Sequence, residues 1–349
     1  MAINKKLFIK SAAGGITPSD HFNPVLFTGN STTVSTGFNA STEGGLFWVS
    51  NRNNANGNLL IDSIRGVQET FFGNENYNSL NRNSITAFNS SSVTIGNYSS
   101  ITSGGANVLW SFRGGGTSND FNVDGTGYAT ASAAGLTAGN TTPTKASVNT
   151  ASGFSMIQYA GSGASNQSIP HGLSNCEMIL VKNIGSSTDW QSFAEPLFDR
   201  MQLNNDGGDD LSHGFTLNST TFTSPSLSAP EWNASGQNYM AYCFTSISGY
   251  SSLGKYTGAV GKEINLGFQP RFALIKRTSS AYNWLIYDSV RGSSGVLNDR
   301  YAILVDSGAS TEQTSSVVFV NFTSTGLDFP NSYGGTNETS AEYFYMAIA

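Results

Sequence analysis

Charge is what this 349-residue chain has least of. Charged residues make up 11% of it, 17 Lys plus Arg against 23 Asp plus Glu, for a net charge of −6. Ordinary globular chains carry about 25%. No basic run exceeds two residues, so the basic stripe of a nucleic-acid binder and the basic helix of a membrane-surface protein are both missing. Two cysteines, Cys176 and Cys243, are too few for a disulfide scaffold. Both fall on predicted strands of one repeat and read as buried thiols, with a single bridge as the alternative. No apolar run reaches 18 residues, so no membrane insertion is expected. The patch Leu7-Phe8-Ile9, closed by Lys10, is too short for a signal-peptide core. The three histidines, His21, His171 and His213, have no second histidine within five residues, and no zinc site is expected.

Against these absences stand Ser, Thr, Asn and Gly, which together fill about 45% of positions, and 22 Phe, 14 Tyr and 5 Trp. The aromatics argue against disorder. The hydroxyl- and amide-rich remainder is that of an all-β protein with many short strands and turns. No stretch keeps an apolar period of 3.6; residues 194–201 form a helical turn at most.

The chain repeats itself. Three segments open on a strand ending aromatic-small-Gly: VLFTG (25–29), IQYAG (157–161) and GKYTG (254–258). Each then runs through its most apolar strand: LFWVSNR (46–52), MILVKNI (178–184) and FALIKRT (272–278). A short late strand follows: SVTIG (92–96), GFTL (214–217) and GLDF (326–329). Each closes on an aromatic-rich strand: NVLWSF (107–112), YMAYCF (239–244) and YFYMAI (343–348). In YMAYCF, Tyr242 and Phe244 point one way and Cys243 the other, as in a strand with one face on a core. Strands separated by turns every 8–12 residues are the signature of a sandwich. The expected architecture is a tandem array of three small antiparallel β-sandwich modules, jelly-roll-like, at residues 21–113, 151–247 and 248–349. A short segment, 1–20, precedes them. Residues 114–150, rich in Gly, Ala and Thr, read as an extended connector that Phe121, Val123, Tyr128 and Leu136 could pin to a neighbour. The junction of the second and third modules is only a few residues long, which predicts those two end to end, with the first either set further away or joined by a connector that runs along a partner chain.

Chemistry is hard to find. Gly-x-Ser-x-Gly and His-Glu-x-x-His are missing, and the glycines at 114–116 lack the Lys of a phosphate loop. Asp206, Asp209 and Asp210 form the densest acidic cluster and read as a solvated turn. No catalytic residue, metal or cofactor is expected. One motif is written twice: Asp-Ser-aliphatic-Arg-Gly, in LLIDSIRG (59–66) and WLIYDSVRG (284–292). In it Asp62 and Asp288 are expected to hold turn N–H groups, Arg65 and Arg291 to pair with them or with a strand end, and Gly66 and Gly292 to supply positive φ. The middle module has DWQSFAEPLF (189–198) instead. Trp190 and Trp284 stand at equivalent places, where the first module has Asn58; they read as packing residues, or else as sugar-stacking platforms.

These motifs in this order, together with the connector DGTGYATASAAGLTAGNTTPTKASVNTASGF and the string GFQPRFALIKRTSSAYNWLIYDSVRG, resemble a widespread family of virion proteins of marine and cyanobacterial tailed phages, usually labelled tail fibre or virion structural protein. The likeness runs from about residue 22 to the end. It implies a non-enzymatic place on a virion, assembled in the host cytoplasm without an export signal. The leader INKKLFIKSAAGG is similar to short N-terminal tags, so residues 1–20 are expected to dock onto other virion proteins. A homo-oligomer is expected, a trimer, because the edges of small β modules need covering. A host-surface glycan or protein is the expected outside partner. A capsid decoration protein or head fibre, and a polysaccharide-degrading tail enzyme, are the rival readings.

Overall fold

The computed structural model describes residues 15–349 except 30–31, 54–56, 103–104, 212–213, 226–227, 292–297, 300, 308–311 and 316. The chain is all-β. Among the described residues the helical elements are a 3-10 turn, Pro18–Asp20, and one helical turn, Ser99–Thr102. None of their helices is long and apolar enough to cross a membrane.

Six sheets pair into three sandwiches. In the first module the larger sheet runs, in spatial order, Phe22–Thr28, Ala106–Arg113, Gly45–Asn51, Asn58–Asp62, Glu69–Phe72, Leu80–Asn81; the smaller runs Thr33–Ser35, Ser92–Ile95, Ile85–Phe88. The third repeats this with Ser251–Thr257, Glu342–Ile348, Phe272–Arg277, Leu285–Asp288, Tyr301–Leu304, Glu312–Thr314, over Lys262–Asn265, Gly326–Phe329, Val320–Phe322, Asn298–Asp299. The second has Phe154–Ala160, Asn238–Phe244, Met178–Asn183, Gln191–Ala194, Phe198–Met201 over Ser168–Pro170, Thr221–Thr223, Thr216–Leu217. In each, the opening strand pairs with the closing strand on one sheet, and the second strand with the penultimate on the other. That nesting is jelly-roll-like, but the middle strands extend the larger sheet as a meander. In the second module the strand in the penultimate place is Thr221–Thr223, not GFTL at 214–217. The segment 194–201 is a turn with a cis Glu195–Pro196 bond followed by the strand Phe198–Met201, not a helical turn.

The three modules are not strung out. Every residue of Gly45–Asn51 and of Met178–Asn183 is buried. Successive residues of a strand face opposite ways. Phe47 and Val49, Ile179 and Val181, and Ala273 and Ile275 fill a core private to each sandwich. Their neighbours Leu46 and Trp48, Met178 and Leu180, and Phe272 and Leu274 all belong to one central core drawn from the three modules. Each larger sheet is therefore an inner sheet with two apolar faces, and the second faces close on one another. Tyr242 and Phe244 lie in the central core while Cys243 lies in the sandwich's own core, so the closing strand is buried on both sides rather than one. Such strands read as near-continuous apolar runs, and a run of that kind does not say what covers its second face.

The 114–150 segment also departs from expectation. It holds the strands Phe121–Val123, Thr126–Tyr128 and Lys145–Asn149, and the last pairs with Phe154–Ala160 to extend the second inner sheet to eight strands. Phe121 and Leu136 enter that module's core, and Val123 and Tyr128 pack against it. The segment belongs to the second module's edge. Its glycines serve close approach: a Cβ on Gly115 would lie 1.9 Å from the Val148 carbonyl oxygen.

A shared core predicts shared unfolding. Calorimetry of the full chain should show one transition with equal calorimetric and van't Hoff enthalpies, where three independent modules would give separable ones. Removing residues 248–349 should leave an insoluble chain, because Trp48, Trp110 and Tyr242 would lose their cover.

Candidate functional site: three seams and a surface cleft

Strand register sets which residues correspond. Asp62 lies opposite Leu46, and Asp288 opposite Phe272. Phe193 lies opposite Ile179, which places Ala194 at the same position of the second module. Three residues on stand Arg65, Leu197 and Arg291. On the closing strands, Trp110, Tyr242 and Met346 correspond, opposite Trp48, Leu180 and Leu274.

The twice-written motif sits at the seams. In the first module Asp62 Oδ1 accepts the N–H groups of Ile64 (3.0 Å) and Arg65 (2.9 Å), and Oδ2 accepts Arg65 Nε (2.5 Å). The Tyr242 hydroxyl of the second module donates to the same Oδ2 at 2.7 Å. Burial pushes the Tyr242 phenol well above its ordinary range, which keeps it a donor. Arg65 Nη2 donates to the Leu60 carbonyl (2.9 Å), and its guanidinium lies 3.5 Å from the Phe71 ring centroid. The third module repeats the set. Asp288 Oδ1 accepts the N–H groups of Val290 and Arg291, and Oδ2 accepts Arg291 Nε (2.7 Å) and Trp110 Nε1 of the first module (2.9 Å). Arg291 Nη2 donates to the Ile286 carbonyl, and Glu312 bridges Arg291 (3.4 Å) to Arg52 of the first module (2.9 Å). Gly66 has φ +100, a conformation that favours glycine. Gly292 lies outside the described residues. Between the second and third modules the same place holds Ala194 and Met346 in the central core, with Leu197 packed against it. The motif's loss there is matched by the loss of the donor that would have met it.

Trp190, Trp284 and Asn58 form a second ring of bonds. Trp190 Nε1 donates to the Phe72 carbonyl of the first module (2.8 Å), Trp284 Nε1 to the Gln202 carbonyl of the second (2.9 Å), and Asn58 Nδ2 to the Leu304 carbonyl of the third (3.1 Å). Both tryptophans are fully buried. They are packing residues, and neither offers a face to a sugar. Lys182 Nζ donates to the carbonyls of Asn76 in the first module and of Thr188. Lys276 Nζ donates to those of Asp206 in the second and of Tyr282. Burial brings the two lysines down to about 7 and about 8. Every one of these cross-seam bonds runs from a module to the one before it, and from the first back to the third. The contact is head to tail and closes after three.

One end of the ring is the place where the three modules meet His21, around a space of about 10 Å3 that suits a single water. Asn149 Nδ2 donates to His21 Nδ1 (2.9 Å), so the ring is neutral there; burial, and then Arg113, bring His21 down to about 4. Cys176 and Cys243 are free buried thiols, and burial raises Cys176 well above its usual range. His171 is fully buried: its Nδ1 accepts the Leu173 N–H and its Nε2 meets the Asn218 carbonyl. His213 lies outside the described residues. Asp209 accepts the N–H groups of Asp199 and Arg200, and Asp210 pairs with Arg200, so this cluster is a bonded turn rather than a merely solvated one. Among the described residues no three His, Cys, Asp or Glu side chains gather as a metal site requires.

A surface cleft of about 350 Å3 opens between the first module's motif turn, at Ser63 and Ile64, and the 114–150 segment. Asn119, Asp120, Asn122 and Lys145 line it, with Lys145 3.6 Å from Asp120. Its size is that of a small-ligand site, and its lining is amide, hydroxyl and one exposed ion pair. Sequence reasoning missed it, because its walls come from a turn and a segment that read as connector.

In comparison with known proteins, the model of a family described as a domain of unknown function, DUF7483, matches residues 17–349. No curated protein and no solved structure matches the chain.

Two predictions come from the seams. Trp110→Phe removes one of the donors to a buried carboxylate and should cost about 1–3 kcal/mol by denaturant unfolding. Arg291→Leu leaves Asp288 without its cation and should cost more, about 3–5 kcal/mol. At His21 the folded state resists protonation, so its contribution is full above pH 6.5 and is lost as pH falls toward 4. The thermal midpoint should drop over that window, and His21→Gln should flatten the drop.

Proposed function

The chain belongs to the DUF7483 family, and from that footing we propose that it is a bacteriophage virion structural protein, a tail fibre or tail-attached appendage that docks by residues 1–20 and contributes to adhesion at the host surface. The observation that carries this reading is the closed ring itself. Three sandwiches lock through buried bonds into one block, whose repeated motif is spent on holding modules together. That is the design of a scaffold that must survive outside a cell without chaperones. Its sparse charge leaves few exposed ion pairs for salt to screen. The leader suits the docking role: Ile16 packs against the central core, and the His21 carbonyl accepts the Arg113 N–H, so the segment arrives where the three modules meet. A tether at that junction presents the ring's outer sheets and loops to the surroundings.

The outside partner of this reading is a host-surface glycan or protein, with the cleft at Asn119, Asp120 and Lys145 as the first place for contact. Assembly into a homotrimer belongs to the same proposal, and it would use outer surfaces, because the inner faces are occupied within the chain. Copies acting together would supply avidity. Neither nucleic acid nor a cofactor has a part in it, and the block is non-enzymatic.

Purified particles of the phage that encodes the chain test this. Quantitative mass spectrometry against the major capsid protein should find the chain at a few to tens of copies per particle. Hundreds of copies would favour a capsid decoration protein or head fibre, and absence from the particle would sink the virion assignment. Incubation with host envelope extract should release no reducing ends; release would turn the reading to a polysaccharide-degrading tail enzyme.

A further inference from the structure

We propose that the side chains facing one another at the three seams are a matching code that fixes the order of the modules around the ring. Three sandwiches of one strand order, each with an apolar inner face, can in principle close as first-second-third or in the reverse cyclic order. Apolar burial is non-directional and does not choose between these. The chain leaves the first module at Arg113 and passes from the second to the third at Thr245 and Tyr250, all beside the space where the three modules meet, so the junctions do not by themselves set the order. Something directional has to choose.

The seams supply it. Each module has a head, the closing-strand residue Trp110, Tyr242 or Met346, and a tail, Asp62 with Arg65, Ala194 with Leu197, or Asp288 with Arg291. In the observed order Tyr242 meets Asp62 at 2.7 Å, Trp110 meets Asp288 at 2.9 Å, and Met346 shares the central core with Ala194. Donors meet acceptors, and the head without a donor belongs to the tail without an acceptor. In the reverse order Trp110 would face Ala194 and bury an indole N–H with no partner. Met346 would face Asp62 and leave a buried carboxylate oxygen short of a donor. Each is the costly kind of burial. The second ring adds no such choice, because its acceptors at Phe72, Gln202 and Leu304 are backbone carbonyls that all three modules offer alike. The seam residues are thus order-determining, and the module that departs from the repeated motif is what gives the code its asymmetry.

The test erases the code and reads the order. In the full chain, Asp62→Ala, Arg65→Leu and Tyr242→Met at the first-second seam, with Asp288→Ala, Arg291→Leu and Trp110→Phe at the third-first seam, make all three seams apolar, so that neither order leaves a donor or an acceptor unmatched. Order is read by replacing Asn76 and Thr188, whose backbone carbonyls both accept Lys182 Nζ across the first-second seam, with cysteines. After refolding from denaturant they are joined by a short bismaleimide, and mass spectrometry counts intramolecular links. The coded chain should link within itself in nearly all molecules. The recoded chain should lose at least half of that yield to wrong-order species. An unchanged yield from a folded recoded chain overturns the proposal. A second series covers the case in which that variant does not refold. Met346→Tyr alone, which places a hydroxyl against Ala194, should lower the thermal midpoint, and adding Ala194→Asp with Leu197→Arg should recover most of the loss. No recovery overturns the proposal as well.

Discussion

An inner sheet that is apolar on both faces cannot stand alone, and the architecture answers that constraint. One face is covered by the module's own smaller sheet, and the other has to be covered by something else. Here two further copies of the same arrangement, written into the same chain, do it. Trp48 and Trp110 from the first module, Trp190 and Tyr242 from the second, and Trp284 and Phe272 from the third meet in one core. Aromatic edge-to-face contacts cross the seams, such as Phe71 with Trp190 and Trp110 with Phe272. Apolar area supplies most of the cohesion. The few polar atoms that pass through it supply direction, because a buried donor without an acceptor is expensive in a way that a misplaced methyl group is not.

The chain solves one seam position in two ways, which shows what the ionic solution is for. A buried ion pair is weak evidence of stability, since taking two charges out of water costs about what their attraction returns, and apolar residues of similar volume often serve as well. Ala194, Leu197 and Met346 show that an apolar set is accommodated in this fold at the same backbone position. Asp62 with Arg65 and Asp288 with Arg291 therefore add specificity. They also cap their own turns, since each aspartate holds two backbone N–H groups with one oxygen and reaches across the seam with the other.

How much of this could be read from the sequence depends on what kind of neighbour a residue has. Strands, turns, the three repeats and the all-β class are local or periodic, and they were legible. The role of Asp62 and Arg65 within their turn was legible for the same reason. The ring was not. Tyr242 and Phe244 announce a buried face, but Ala241 and Cys243, at the alternate positions, look like an exposed or filler face, although they are buried in the sandwich's own core. Phe121 and Leu136 showed that residues 114–150 rest on something, and strand pairing with Phe154–Ala160 is a contact that composition does not reveal. The signal that could have given the ring was a pair of departures: the middle module loses Asp and Arg, and the last module has Met346 where the others have Trp110 and Tyr242. Each looks like drift until the strands are aligned by register and the two changes fall on facing sides of one seam.

Covering the inner faces within one chain changes where outside contact can lie. A module that needed a second copy for its core would have its largest apolar surface committed to assembly. Here that surface is already taken, and Trp190 and Trp284, the side chains best suited to stack on a ligand, are inside it. What remains outward is mainly polar, with single exposed apolar side chains such as Leu211 and Val260: the smaller sheets, the loops and the cleft where Lys145 lies beside Asp120. Recognition from such a surface has to come from hydrogen bonds and from repetition of copies rather than from one deep apolar pocket. Hence the parts of this chain that repeat describe how the block is held together. The parts that do not repeat, residues 1–20 and the 114–150 segment with its cleft, are the ones with freedom to be about something else.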